Sequence, residues 1–185
     1  MTISRKQILD IMPHAEKYVD KYLSYINEYA EQFGISTRMR MCHYLAQIAH
    51  ESAELRYAEE IASGAAYEGR RDLGNTEKGD GKKFKGRGLI QITGRANYRA
   101  YNDYLTRRGM KVDLLKNPEL LSKPLGAVKS SMWFWQFHGL NEMASMDTGS
   151  DSSVIVRITR KINGGTNGLT QRRLYFERAK LAIHD

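Results

Sequence analysis

The sequence lacks the features that stabilise small secreted proteins or anchor proteins in membranes. Its 185 residues include one cysteine, Cys42, so no disulfide can form within the chain. No stretch approaches the ~20 consecutive apolar residues that a membrane-spanning helix needs. The charged start is not followed by an apolar run of ~7–15 residues, so we expect no secretory signal and synthesis in the cytoplasm.

The composition is that of a globular protein with an excess of positive charge. Hydrophobic residues make up 41% and charged residues 27% of the chain. The length predicts a single domain over residues 1–185, with an N-terminal helical segment 1–34 packed on it and no separate binding domain. Lysine and arginine number 29 against 21 aspartates and glutamates, a net charge of +8. This balance favours an anionic partner, which could be nucleic acid, an acidic membrane surface or a cell-wall polymer.

The spacing of apolar residues predicts a mainly α-helical fold. Ser4 and Gln7 form a capping-box signature for a first short helix, which Pro13 interrupts. A tyrosine-rich apolar stripe predicts a second helix, which Gly34 ends. The predicted helices after the first cover residues 15–33, 37–52, 97–108, 124–138, 152–162 and 168–183.

Residues 62–97 differ from the rest of the chain because they contain eight glycines and lose the helical periodicity. Apolar residues on both sides of Gln91 predict a short strand or hairpin within this glycine-rich insert. A loop region of this length inside a compact domain is usually functional. The glycine-rich insert is therefore the first indication of a functional site.

Several common motifs fail on inspection. The segment from His50 to Glu54 begins like the HExxH zinc motif, but its last position is glutamate where the second histidine is required. Phosphate-binding and dinucleotide-binding loops and the G-x-S-x-G elbow of serine hydrolases are also incomplete or absent. Aromatic residues are not interleaved with basic ones as a nucleic-acid surface would require. We therefore expect no metal, no cofactor and no nucleic-acid partner.

Two glutamates are the candidates for acid–base chemistry. Glu51 ends a predicted apolar helix, and partial burial there would favour the protonated form that a general acid requires. Glu60 follows nine residues later, on the opposite face of a continuous helix, so the two can cooperate only if the helix breaks between them. Glu54, Glu59 and Glu68 lie nearby and are interpreted as ordinary exposed glutamates. Two carboxyl groups across a cleft are the minimum machinery for glycoside hydrolysis.

Four segments give this pair a context. They cover residues 46–52, 67–75, 79–94 and 162–165, and the third is the most specific because of its length. Together and in this order they resemble glycoside hydrolase family 19, the chitinase family, and more closely its bacteriophage endolysin branch. The resemblance runs from about residue 35 to residue 180.

The resemblance implies a lysozyme-like, mainly helical single domain with a central substrate cleft, and an inverting mechanism. By motif, Glu51 resembles the general acid, Glu60 the general base, and Thr93 the hydroxyl residue that holds the attacking water. For Thr93 and the cleft amides, hydrogen bonding that only stabilises a loop is the alternative interpretation. The residues implied to bind substrate are His50, Gln91, Asn97, Asn163 and Arg173.

The sequence departs from plant members of the family. Their cysteines are absent, and Asn167 stands where they tend to carry an acidic residue. Loss of the plant loops favours peptidoglycan over chitin. We therefore expect a monomeric phage or prophage endolysin that hydrolyses β-1,4 bonds of peptidoglycan and reaches the wall after release by a holin-type partner. The alternatives are a chitinase acting on poly-N-acetylglucosamine, a lytic transglycosylase, and a non-enzymatic basic binding module.

The C-terminal segment 169–183 combines apolar residues with Arg172, Arg173, Arg178 and Lys180. One interpretation is a surface helix docked on the core with a solvated basic face. The other is that the exposed basic residues contact an anionic outer membrane.

Overall fold

The structure is a computed structural model that describes residues 1–149 and 152–184. Within these residues it is predominantly helical, and its β pairing consists of two isolated antiparallel bridges. The mainly α fold is therefore confirmed, and none of the described helices is long and apolar enough to cross a membrane. The helices are α1 Arg5–Ile11, α2 Leu23–Tyr29, α3 Arg38–Glu51, α4 Asp80–Lys83, α5 Arg95–Arg107, α6 Pro124–Phe137, α7 Leu140–Ser145, α8 Ser152–Asn163 and α9 Leu169–Ala182.

The chain divides into two compact units. The first, here called the helical unit, consists of Met1–Arg56 and Met132–Asp185. The second, the loop unit, is Tyr57–Ser131 and is continuous in sequence. The loop unit is therefore inserted between the two parts of the chain that form the helical unit.

The helical unit is built around α3. Every residue from 41 to 49 is buried, as expected of a helix enclosed on all sides. Its most extensive packing is against α9, which also packs against α1 and α8. The guanidinium group of Arg38, in the first turn of α3, donates hydrogen bonds to the carbonyl oxygens of Lys180 and Ile183. The start of α3 and the end of α9 are thereby held together.

The C-terminal helix is docked on this core. Tyr175, Phe176 and Ala179 are buried, and Arg178 is half-buried. The Lys180 ammonium group is 2.9 Å from a carboxylate oxygen of Glu177 and donates to the carbonyl oxygen of Gly149 at 3.2 Å. These contacts agree with the interpretation of α9 as a docked surface helix.

The predicted continuous helix over residues 15–33 is wrong. The structure has a 3₁₀ turn at Val19–Lys21, then α2, then a second 3₁₀ turn at Glu31–Phe33. Tyr22 separates the first two with a φ of −120°, outside the helical range. Val19, Ile26 and Phe33 are nevertheless buried, so the apolar spacing identified the inward face but not the backbone geometry. Gly34 ends the segment at φ +74°, as its sequence position predicted.

The loop unit is ordered mainly by polar side chains that bind backbone groups. The Glu68 carboxylate accepts hydrogen bonds from the N–H groups of Gly79 and Gly81, at 2.6 and 2.8 Å. Buried Asp80 accepts two hydrogen bonds from the Arg95 guanidinium group, which hold the pKa of that carboxyl below its usual value. Asn75 accepts from the Arg95 N–H and donates to a backbone carbonyl. Long loops can therefore keep a fixed shape here without helices or strands.

Candidate active site

Glu51 is the last residue of α3, as the sequence predicted. After Ser52 the chain turns back through Ala53, Glu54 and Leu55, whose φ angles are +48°, +57° and +67°. Left-handed backbone costs about 1–2 kcal/mol for each residue that has a side chain, so three in succession form an unusual local structure. The helix break expected between the two candidate glutamates is therefore present, and it begins directly after Glu51.

The Glu51 carboxylate is held by an arginine from α9. A guanidinium nitrogen of Arg172 lies 2.5 Å from Glu51 Oε1. The same guanidinium group donates to Gln47 Oε1, one turn earlier on α3, and to the carbonyl oxygen of Asn167. Arg172 is 1% exposed, so its charge is balanced within the protein. The arrangement fixes the orientation of the Glu51 carboxylate through charge-assisted hydrogen bonds.

His50 is positioned by the first turn of α9 and the glycine that precedes it. Its Nδ1 lies 2.7 Å from Gln171 Oε1, an acceptor, which makes Nδ1 the protonated nitrogen of the neutral ring. A Cβ atom on Gly168 would approach the His50 ring to 2.0 Å, and Gly168 also has a φ of +69°. A glycine is thus required at this position for two independent reasons.

Glu60 belongs to the loop unit and has different partners. Its Oε1 accepts a hydrogen bond from the Tyr67 hydroxyl at 2.9 Å, and its Oε2 accepts one from the Gly86 N–H at 3.1 Å. The Glu60 backbone N–H donates to the Gly86 carbonyl at 2.9 Å. Burial, together with the hydrogen bond to Glu60, raises the pKa of Tyr67, so its hydroxyl stays protonated and remains a donor. Both the backbone and the carboxylate of Glu60 are therefore fixed.

The neighbouring glutamate, Glu59, is committed to structural contacts. Its carboxylate contacts the Lys85 ammonium group at 2.9 Å, the Arg87 guanidinium group at 3.5 Å and the Ser122 hydroxyl at 3.0 Å. Burial alone would raise the pKa of Glu59, but these partners together hold it below its usual value. Because Glu59 cross-links three separate parts of the loop unit, Glu60 is the better candidate for a base.

Glu60 is held by the segment that the sequence singled out as most specific. Antiparallel bridges join Arg87 to Ile92 and to Glu59. Gln91 covers Gly86, since a Cβ atom there would lie 2.5 Å from Gln91 Oε1. Half-buried Thr93 follows at the end of the same segment. Gln91 and Thr93 therefore lie in the same segment as Gly86, whose backbone holds Glu60.

The two predicted asparagines both bind backbone groups. Asn97 donates to the carbonyl oxygen of Thr93 at 2.7 Å. Asn163 accepts from the Gly165 N–H at 2.8 Å and donates to the carbonyl oxygen of Asn167 at 3.0 Å. That carbonyl is also the one that Arg172 contacts, so Asn163 supports Arg172 from the α8–α9 loop. Their predicted contact with substrate stays a prediction.

Arg173 was predicted to be the cleft arginine that binds substrate, and this stays a prediction; the structure leaves Arg173 exposed and pairs Glu51 with Arg172. Arg172 could have been found from the sequence. It lies three residues after Leu169 and four before Phe176, on the stripe of α9 that is otherwise apolar. A charge on a buried stripe needs a buried partner, and Glu51 is that partner. In the described part of the chain, no group of three or more His, Cys, Asp or Glu side chains is placed to hold a metal ion.

Comparison with known proteins places this geometry in a family. The glycoside hydrolase family 19 profile, described as chitinase class I, matches residues 35–149. A glycosyl hydrolase family 19 domain-containing protein of Haemophilus influenzae is 31% identical over 93% of this chain and 92% of its own length. An endochitinase of Arabidopsis thaliana is 35% identical over 71% of this chain, which spans 41% of that protein.

Solved structures agree on the fold. Chitinase C from Streptomyces griseus HUT6037 superposes with a TM-score of 0.72 over 97% of this chain and 91% of that one, at 20% identity. A bacterial family 19 chitinase gives a TM-score of 0.74 over 100% and 97% of the two chains, also at 20% identity. The fold and the sequence matches together define a glycosidase. The chain belongs to glycoside hydrolase family 19 and is chitinase-like.

Proposed function

We propose that this enzyme is a phage or prophage endolysin that hydrolyses β-1,4 glycosidic bonds of bacterial peptidoglycan. The observation that supports this substrate is the distribution of charge. Residues 57–131 contain fifteen lysines and arginines against nine aspartates and glutamates. Peptidoglycan carries carboxylates on its stem peptides, whereas chitin is uncharged. Positive charge on the loop unit, which contains the proposed base Glu60, would attract the anionic polymer and raise its local concentration.

The proposed reaction uses the two glutamates in different roles. Glu51, in its protonated form, donates its proton to the leaving glycosidic oxygen, and the Arg172 guanidinium group orients the carboxyl group and stabilises the carboxylate that this leaves. Glu60 removes a proton from a water molecule on the opposite face of the sugar, with Thr93 helping to hold that water. The oxocarbenium-like transition state then gives a product with inverted configuration. The Tyr67 hydroxyl and the Gly86 N–H keep Glu60 in place while the water is activated.

A chitinase acting on poly-N-acetylglucosamine is the second candidate. It is favoured by the similarity to plant endochitinases, which extends over 71% of this chain for the Arabidopsis protein. The same two glutamates would serve either substrate, because the reacting bond is a β-1,4 link in both polymers. The charge of the loop unit is the feature that separates the two proposals.

Mass spectrometry of digests separates these functions. The purified enzyme would be incubated with peptidoglycan sacculi and, in parallel, with a chitin hexamer, using Glu51→Gln as the inactive control. Muropeptides with reducing ends support the proposal, and NMR of the first-formed anomer tests inversion. Anhydro ends would assign a lytic transglycosylase, chitin cleavage alone a chitinase, and no product from either polymer a binding module.

The endolysin role also requires that the enzyme reach the wall from the cytoplasm. We propose that a membrane-permeabilising partner of the holin type releases it. Cells that express the enzyme alone should keep growing and should lyse within minutes when chloroform permeabilises the inner membrane. Lysis without permeabilisation contradicts this route, and Glu51→Gln controls for lysis caused by overexpression.

A further inference from the structure

Glu54 is not an ordinary exposed glutamate, as the sequence suggested, but is 6% exposed and lies in the left-handed turn after Glu51. Its Oε2 accepts the His14 backbone N–H at 2.5 Å. Its Oε1 accepts the Tyr175 hydroxyl at 2.8 Å and lies 3.1 Å from His14 Nδ1. Burial would raise the pKa of Glu54, but these hydrogen bonds outweigh burial and hold it below its usual value. The buried carboxylate is therefore ionised and fully partnered.

The same contacts lead back to His50 on the other side of Glu51. The Gln171 side-chain nitrogen lies 3.3 Å from the Tyr175 hydroxyl oxygen, and Gln171 Oε1 lies 2.7 Å from His50 Nδ1. Gln171 and Tyr175 are four residues apart and so share one face of α9. One continuous set of hydrogen bonds thus joins residue 50 to residue 54. The next residue after Gln171 is Arg172, which binds the Glu51 carboxylate itself.

The turn needs such support because its backbone is strained. Ala53, Glu54 and Leu55 are all left-handed, and none is glycine. Within the turn, the Leu55 N–H donates to the Ser52 hydroxyl oxygen at 2.8 Å, and Leu55 is buried. The polar contacts that reach it from other segments come from His14 and Tyr175. His14 lies before residue 35, where the family profile begins, so this part of the support lies outside the matched region.

We propose that Glu54 is a positioning residue for Glu51, and that the N-terminal segment contributes to catalysis by holding the turn that ends α3. Glu54 touches no reacting group. It keeps three strained residues in one geometry, and that geometry fixes where α3 ends and where the Glu51 carboxylate points. A misplacement of about 1 Å in a reacting group can cost ~10²-fold in rate. The inference rests on the proposed role of Glu51 as general acid.

The test compares Glu54→Gln and Tyr175→Phe with Glu177→Gln, a matched control on an exposed glutamate of α9. Kinetics are measured on whichever polymer the parent cleaves, well below the melting temperature of each variant. A glutamine side chain accepts only at its oxygen. In Glu54→Gln, either the His14 backbone N–H or the Tyr175 hydroxyl therefore loses its acceptor. We expect kcat to fall ~10-fold or more with KM within about twofold for Glu54→Gln, a smaller fall for Tyr175→Phe, and parental kinetics for Glu177→Gln.

A merely structural role would lower the melting temperature and leave kcat of the folded enzyme unchanged, and that result would overturn the inference. If Glu54→Gln does not fold, Tyr175→Phe decides in the same way, because it keeps the carboxylate and removes one donor. Glu51→Gln is measured alongside. If it retains activity, the proposed function fails; if it is inactive while the Glu54 and Tyr175 variants have parental kcat, only the positioning role fails.

Discussion

The two units hold their glutamates by different means. In the helical unit, Glu51 is fixed by a buried arginine from α9, a helix more than 100 residues away in sequence. In the loop unit, Glu60 is fixed by a tyrosine and a backbone N–H, both within 26 residues. The loop unit also carries an excess of six positive charges, against two for the rest of the chain. The proposed proton donor is thus set by packing between distant helices, and the proposed base by local loops that carry most of the charge.

This difference predicts how each unit fails. Changes in the helical unit act through packing and buried charge, so they should alter the proposed acid, Glu51, and the stability of the whole unit. Changes in the loop unit act on backbone geometry, where a single added methyl group can meet a carbonyl oxygen. Four experiments test the contrast, from the largest expected effect to the smallest.

Glu51→Gln should reduce the rate of glycoside hydrolysis by a factor of ~10² or more, because the glutamine cannot donate the proton to the leaving oxygen. The thermal unfolding midpoint should also fall, because the glutamine can still accept from Arg172 but no longer balances its buried guanidinium charge. Reducing-end release from the polymer measures the rate. Near-parental activity in a folded Glu51→Gln protein would remove Glu51 from the mechanism.

Glu60→Gln and Glu59→Gln form a matched pair of neighbouring residues. Glu60→Gln should lose most activity with a small change in thermal stability, because a glutamine is a poor base. Glu59→Gln should do the opposite, since it weakens the ion pairs to Lys85 and Arg87 that join parts of the loop unit. Rates and melting curves of both variants are needed. An inactive, stable Glu59→Gln beside an active Glu60→Gln would exchange the two roles.

Gly64→Ala and Gly69→Ala test the loop unit's dependence on backbone. Both glycines have positive φ angles, +81° and +70°, so each substitution should cost about 1 kcal/mol for conformation alone. At Gly64 the new methyl group would also lie 2.4 Å from the Gly81 carbonyl oxygen, which adds about 1–3 kcal/mol. At Gly69 nothing lies within 4 Å. Equal stability losses, measured by chemical denaturation, would contradict the close approach of the two loop segments.

The smallest expected effect is a dependence of stability on pH, which arises from the buried His43 of the helical unit. Burial lowers its pKa from 6.5 to about 4, against the opposing effect of Asp147, whose carboxylate lies 2.8 Å away; Lys180 lowers it further. Between pH 6.5 and about 4 the unfolded chain therefore binds the proton and the folded chain does not, so stability falls as the pH drops through this range and the loss levels off below it. The free energy of unfolding is obtained from denaturant titrations at several pH values. Its slope against pH should differ between the parent and His43→Gln only in this range. Parallel pH profiles would show that His43 is charged when folded.

The sequence predicted most of α3, α5, α6, α8 and α9 because their apolar residues recur at helical spacing. It predicted the break after Glu51 but not its form. Three left-handed residues without glycine leave no sequence signal, since they are stabilised by His14 and Tyr175 from distant segments. The short helix α7 was also missed, because six residues show too little of the 3.6-residue period.

The sequence singled out Glu51, Glu60 and the segment that holds Glu60 in the structure, and the catalytic roles of the two glutamates stay predictions. The resemblance to family 19 identified this segment. The structure explains why the segment matters, because Gly86 binds both the backbone and the carboxylate of Glu60. The sequence singled out Arg173 as the cleft arginine, and its contact with substrate stays a prediction; the arginine that binds Glu51 in the structure is its neighbour Arg172. Which of the two arginines binds Glu51 depends on the side of α9 that faces α3. In the sequence, only the apolar stripe of α9 indicates that side.

The interrupted path of the helical unit has a consequence for synthesis on the ribosome. The loop unit is contiguous and its contacts are local, so it can fold as soon as residue 131 has left the exit tunnel. Helix α3 emerges far earlier, but its nine buried residues find their main cover only when α9 appears, at the end of translation. For most of the synthesis time the nascent chain therefore carries an uncovered apolar helix ending in the ionisable Glu51. The arginine that binds the proposed acid, Glu51, lies in the last segment to be made, so a product truncated before α9 would lack this contact.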